Sequence, residues 1–187
     1  FMWHTLNAFN KGSKLCVDLI KYNRLPRYDL AEDARFAKNP EDYAGRLVRW
    51  TIDLDGSSDQ VHEEQLDDLV SEFPRVDERV IGAQHRHCYF LCQTDKSGRS
   101  RHWDAAVHLD LETGKRSIYD PGPQSFMSEG VFAPRAGSTQ EGDGYYMVPV
   151  YQELEKRTDI VLLDATDFAA GPIARIKLPF RQNPTFH

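Results

Sequence analysis

The sequence lacks any apolar run long enough to cross a membrane as a helix, which takes ~20 residues. The stretch Ile160-Val161-Leu162-Leu163 has only the length of a buried strand. Basic residues are in the minority: 23 Lys and Arg face 29 Asp and Glu, for a net charge of −6. With no stripe of Lys and Arg, binding to nucleic acid by neutralising phosphates is not expected. Cysteine is scarce. Three residues, an odd count without a metal-like CxxC, argue against a disulfide framework. Cys88 and Cys92 lie four apart on one strand face and read as reduced, buried thiols of a cytoplasmic protein. No charged segment precedes an apolar one at the start, so no secretory leader is read. The sequence opens on Phe1 rather than Met, and the true N-terminus is expected upstream.

What is present fits a soluble globular domain: 187 residues, 40% hydrophobic and 28% charged, enough for one core. Strand patterns dominate. Strands are expected over Leu15 to Tyr22, Arg46 to Asp55, Val80 to Gln93, His102 to Leu111, Arg116 to Tyr119, Tyr145 to Tyr151, Asp159 to Asp164 and Arg175 to Leu178. One short helix is expected over Asp29 to Asn39, with Asp29 as its N-cap and Pro40 after it. A weak repeat runs through the chain. Ile52-Asp53-Leu54, Leu109-Asp110-Leu111 and Leu163-Asp164-Ala165 each end a strand with an Asp before a turn, roughly every 55 residues. That period is long for a bare four-stranded propeller blade but suits one with an inserted loop. An open set of about three and a half such units would leave sheet edges bare, so the period points to part of something larger. It does not give the blade count.

Four polar residues stand in distinctive contexts: His4 in Phe1-Met2-Trp3-His4-Thr5-Leu6-Asn7-Ala8-Phe9, Glu72 in Ser71-Glu72-Phe73-Pro74-Arg75-Val76-Asp77, Glu141 in Gln140-Glu141-Gly142-Asp143-Gly144-Tyr145, and His187 in Thr185-Phe186-His187. Each alone has a plain structural explanation. His4 and His187 could be core imidazoles bonded to backbone. Glu72 follows the acidic residues Glu63, Glu64, Asp67 and Asp68, although Phe73 and Pro74 argue against full exposure. Glu141 could be a turn residue. His85 and His87 sit two apart, the spacing of a metal pair on a strand. His102 and His108 lie opposite the apolar face of Trp103, Ala105, Val107, Leu109 and Leu111 and are expected to be wet, as is His62.

Taken together and in this order, the four stretches resemble the C-terminal half of the carotenoid cleavage oxygenases. That family includes stilbene-cleaving dioxygenases and the retinal pigment epithelial membrane protein. Gly130-Val131-Phe132-Ala133-Pro134-Arg135, Asp164-Ala165-Thr166-Asp167-Phe168 and Gly171-Pro172-Ile173-Ala174 extend the likeness over nearly the whole chain. The resemblance implies an all-β fold, with residues 1–187 a single partial domain. It would form the C-terminal blades, about half, of a seven-bladed β-propeller with loop and short helical insertions. It also implies a non-haem Fe(II) dioxygenase that uses O2 to cleave a C=C bond of a carotenoid, apocarotenoid or stilbene-type substrate into two carbonyl products. Its metal would be held by four histidines without a direct carboxylate, unlike the two-His-one-carboxylate triad. His4 and His187 would be two of those ligands. Glu72 and Glu141 would be outer carboxylates, each accepting a ligand's second ring N–H. Trp3 and, with less support, Phe1 would line the substrate tunnel, a plain core role being equally open to both from the sequence, and the His85-Arg86-His87 stretch would be structural. The location read from the cysteines is cytoplasmic; some relatives touch a bilayer through an apolar patch, no clear patch is seen in this sequence, and peripheral membrane contact stays open.

The chain departs from the family in several places. Two further iron histidines and a third outer Glu have no counterpart here and fall upstream in relatives. Thr185 replaces a Gly, and Glu129-Gly130-Val131-Phe132 stands where Glu-Pro-Val-Phe is usual. The chain alone is therefore expected to bind iron weakly or not at all and to be inactive. Two other functions remain open: an isomerohydrolase using the same iron as a Lewis acid, and a non-catalytic propeller binding module, since fold likeness does not carry function.

Overall fold

A computed structural model describes residues 1–25, 40–56, 59–94 and 102–183. Thirteen strands among these residues form three antiparallel sheets. The first contains β1 (Met2–Lys11), β2 (Lys14–Lys21), β3 (Arg46–Asp53) and β4 (Val61–Gln65), paired in that order. The second contains β5 (Val70–Arg75), β6 (His87–Gln93), β7 (Ala105–Asp110) and β8 (Lys115–Tyr119). In the third, β10 (Val131–Pro134), β11 (Gly144–Gln152), β12 (Arg157–Asp164) and β13 (Pro172–Lys177) follow in order, and the short β9 (Ser125–Met127) extends the β10 edge of β11. Each sheet is a meander in chain order, the architecture of a propeller blade. The all-β, part-propeller expectation holds.

Burial explains which strands lie where. In the middle sheet, β6 (His-Cys-Tyr-Phe-Leu-Cys-Gln) and β7 (Ala-Ala-Val-His-Leu-Asp) are buried on both faces, which is why they read as nearly continuous apolar runs. Cys88, Phe90 and Cys92 of β6 join Ala105, Val107 and Leu109 of β7 in the core shared with the first sheet. Tyr89, Leu91 and Ala106 face the third sheet, against Phe132, Tyr146, Val148 and Phe168. All three cysteines are buried free thiols. Burial pushes the Cys92 thiol up to about 12 and Cys88 upward as well, so neither is a reactive thiolate. The outermost strand β4 (Val-His-Glu-Glu-Gln) is exposed along its length, and its charges discourage edge pairing.

Three expectations need correction. The strand expected from Val80 begins only at His87, because Asp77 caps a short 3-10 turn at Glu78–Val80 and Gly82 turns the chain with φ 81°. The strand expected from His102 is β7 alone, with Trp103 making an isolated bridge to Met127. His108 is not wet: the third sheet covers the face it points from. The helix expected at Asp29 to Asn39 lies outside the described residues. The Asp repeat has a physical basis. Asp53, Asp110 and Asp164 each end the third strand of a sheet, and Oδ1 of each accepts the backbone N–H two residues on, at 3.2, 3.0 and 3.0 Å, as in an Asx turn.

Candidate metal-ligand site

The edge strands β1 and β5 of the first two sheets and the segment between β9 and β10 meet at one place, and His4 stands there. It lies half-buried on β1, and its Nδ1 is 2.5 Å from Oε2 of Glu72 on β5. Glu72 has no exposure. Its Oε2 also accepts the N–H of Phe73 at 2.7 Å, and its Oε1 accepts the Tyr22 hydroxyl at 2.8 Å. A buried carboxylate is thus satisfied by three donors, from β1, from β5 and from the residue just after β2. The backbone bends to achieve this. Pairing of β5 with β6 shifts register between Glu72 and Arg75, and Phe73 has φ 54°. A bulge re-aims side chains, and a non-glycine residue in the left-handed region is a strain that clusters at functional sites.

The site is electronegative. The bond from Glu72 raises the pKa of His4; burial opposes this, the charges of Glu72 and Glu129 add to it, and Arg75 counters it. The Glu129 side chain is buried and ion-paired to Arg75. Aromatic rings surround the imidazole. Trp3 meets it edge-on at 6.5 Å and Phe73 lies at 5.5 Å, with Trp103 edge-on to Phe73 at 6.0 Å. Phe1 is exposed at the start of the same edge. The residues brought together are therefore His4, Glu72 and Trp3, joined by Phe73, Trp103, Tyr22 and Glu129, which sequence reasoning did not assign to the site. A signal for Glu129 existed in its Glu-Gly-Val-Phe stretch. Tyr22 carried none.

Glu141 is held elsewhere. Its Oε1 accepts the backbone N–H groups of Arg86 and His87 at 2.7 and 2.9 Å. It pins the turn before β6 to the β10–β11 loop, and these bonds go to amides, not to an imidazole. The paired spacing of His85 and His87 does not bring them together, since His85 lies before the strand begins. His85 is buried between Asn7, 3.1 Å from its Nδ1, and Asp18, 3.2 Å from its Nε2. Asp18 also takes two bonds from Arg49, both 2.7 Å. His87 and His108 face each other, Nδ1 to Nε2 at 2.9 Å. His62 and His102 are exposed. His187 lies outside the described residues.

The donor chemistry suits one ligand of a metal. With Nδ1 donating to a buried carboxylate, the lone pair of His4 resides on Nε2, the tautomer that metal-binding histidines adopt. Among the described residues no group of three or more His, Cys, Asp or Glu could hold a metal ion, so His4 fits as one member of a larger set.

The chain is similar to known proteins over its whole length. The family model described as retinal pigment epithelial membrane protein matches residues 1–187. The chain is 35% identical over 204 residues to lignostilbene-alpha,beta-dioxygenase isozyme III of Sphingomonas paucimobilis, covering 100% of this chain and 40% of that protein. It is 32% identical over 178 residues to apocarotenoid-15,15'-oxygenase of Synechocystis, covering 95% and 36%. The solved structure of cobalt-substituted Synechocystis apocarotenoid oxygenase superposes with a TM-score of 0.85 at 31% identity, covering 97% of this chain and 37% of that one. The chain thus spans about two fifths of the length of the relatives it matches.

Proposed function

This chain belongs to the retinal pigment epithelial membrane protein family, and we propose that the protein carrying it is a non-haem iron(II) dioxygenase that cleaves a C=C bond of a conjugated apolar substrate. The observation that carries the reading is the His4–Glu72 pair: a half-buried imidazole whose Nδ1 is fixed by a fully buried carboxylate at 2.5 Å. That is the outer-sphere arrangement by which a protein sets the tautomer and ring angle of a metal-bound histidine. His4 would hold the iron together with His187 and two histidines supplied by the rest of the protein. When bound, the iron would supply the redox chemistry by which O2 reacts with the alkene.

The chain's own residues have defined parts. Glu72 keeps the proton of His4 on Nδ1. Glu129, with Arg75, contributes a negative field beside the imidazole. We assign the second outer carboxylate of this half to Glu129 and not to Glu141. Trp3, Phe73 and Trp103 form an aromatic wall suited to a flat conjugated substrate. Phe1 would extend this wall at its exposed end.

The test is product analysis. The full-length protein, loaded with Fe(II) in air, is given a stilbene-type and an apocarotenoid substrate. Two carbonyl fragments from one of them are expected, with their yield lost in His4→Ala. An intact but isomerised chain would favour the isomerohydrolase, and binding without conversion the non-catalytic module.

A further inference from the structure

We infer that Tyr22 is a positioning residue for the metal site: its hydroxyl fixes how Glu72 faces, and through Glu72 the ring of His4. The inference rests on His4 being a metal ligand. The terminal torsion of a glutamate is broad and roughly two-fold, so its two oxygens exchange readily unless each has a directional partner. Here each has one. Oε2 faces His4 Nδ1 and the Phe73 N–H, while Oε1 takes the Tyr22 hydroxyl at 2.8 Å. The phenol is held in turn. Tyr22 is buried, and its backbone N–H donates to the carbonyl of Phe1, just before β1, at 2.6 Å. The ring packs where Gly45 leaves room: a Cβ on Gly45 would fall 2.7 Å from Tyr22 Cζ and 2.6 Å from the Ser71 carbonyl oxygen. Gly45 thereby lets the ring lie against β5 within reach of Glu72. Trp3 flanks it at 6.4 Å. Losing the hydroxyl would leave Oε1 buried without this donor and free the carboxylate to swing away from His4.

The experiment uses the full-length apo-protein titrated with Co(II), followed by its visible absorption, alongside long-range proton–nitrogen NMR of the metal-free His4 ring. Tyr22→Phe keeps the ring and removes only the hydroxyl. Co(II) binding is expected to weaken roughly tenfold or more, the range for lost outer-sphere partners. The absorption band should shift, and His4 should change from a single Nδ1–H tautomer to a mixture. Wild-type affinity, band and tautomer in Tyr22→Phe would overturn the inference, because a merely space-filling ring is retained in that variant. His4→Ala separates the two claims: unchanged Co(II) affinity there would overturn the ligand reading and this inference with it. Should Tyr22→Phe not fold, 3-fluorotyrosine at position 22 preserves the ring and strengthens the donor. An affinity change of about threefold or more supports the inference, and no change overturns it.

Discussion

Glu72 and Glu141 are both acceptors of N–H groups, yet one holds an imidazole and the other holds a turn. Their variants should separate cleanly. Glu72→Ala in the full-length protein is expected to lower Fe(II) or Co(II) affinity roughly 10–100-fold. Glu141→Ala should leave metal affinity unchanged while lowering unfolding stability by about 0.5–1.5 kcal/mol, the loss of hydrogen bonds at one exposed and one partly buried amide that water can then reach. Metal titration and urea denaturation of both variants check this. Glu72 was legible from its neighbours, since a glutamate followed by Phe-Pro has little chance of facing water. Glu141 accepts two backbone N–H groups, and a carboxylate beside a Gly-rich turn reads the same in sequence whether it caps amides or an imidazole. His108 supplies a pH prediction. Burial first, then the neighbouring His87, depress its pKa to about 4. In the unfolded chain it titrates near 6.5. Stability from this group is therefore complete above about pH 6.5 and is lost as pH falls toward 4, where only the unfolded chain takes up the proton. The loss is of order 3 kcal/mol. His108→Phe, which keeps a ring between Tyr89 and Phe168, should flatten the pH dependence measured by denaturation between pH 7 and 4.

Single elements were easier to read than their surroundings. The β11–β12 and β7–β8 hairpins follow from alternation and turn chemistry, and the Asp at the end of each third strand marks the blades. What alternation cannot tell is whether the polar face of a strand meets water or another sheet. β7 shows this: its apolar face was read correctly, but the opposite face, carrying His108, is covered by the third sheet. The long strand expected from Val80 failed for a related reason. Asp77, Gly82 and the loop holding Glu141 impose a turn that outweighs local strand propensity. That loop is open to test at Gly142, which has φ 76° and where a Cβ would lie 2.5 Å from His87 Cδ2. Gly142→Ala should destabilise the fold by about 1–3 kcal/mol, through both the conformation and the ring. Chemical denaturation would show it as a lower midpoint with unchanged slope.

At the scale of the molecule, the three sheets carry His4, the described residue that we propose as one ligand, and the proposed metal site needs more than the described residues of this chain display. The periodicity indicated an incomplete propeller, and the match to about two fifths of each relative is consistent with it. The third sheet also presents an apolar row: Val131 pairs with Met147, and Met147 with Leu162, with Val131 and Met147 exposed. Uncovered apolar sheet faces favour association. The isolated 187-residue chain is expected to self-associate in analytical ultracentrifugation and to bind Co(II) at least about 100-fold more weakly than the full-length protein. Monomeric behaviour with full affinity would mean that these residues hold the metal without help.

The most direct measurement is an anomalous difference map of the full-length protein crystallised with iron, collected at the iron edge. The expected result is a single strong peak bonded to Nε2 of His4, with Nδ1 still on Glu72 and no carboxylate of this chain on the metal. A peak on Nδ1, a peak on Glu72 itself, or no iron at His4 would contradict the assignment of this residue as an oriented ligand of an alkene-cleaving iron centre.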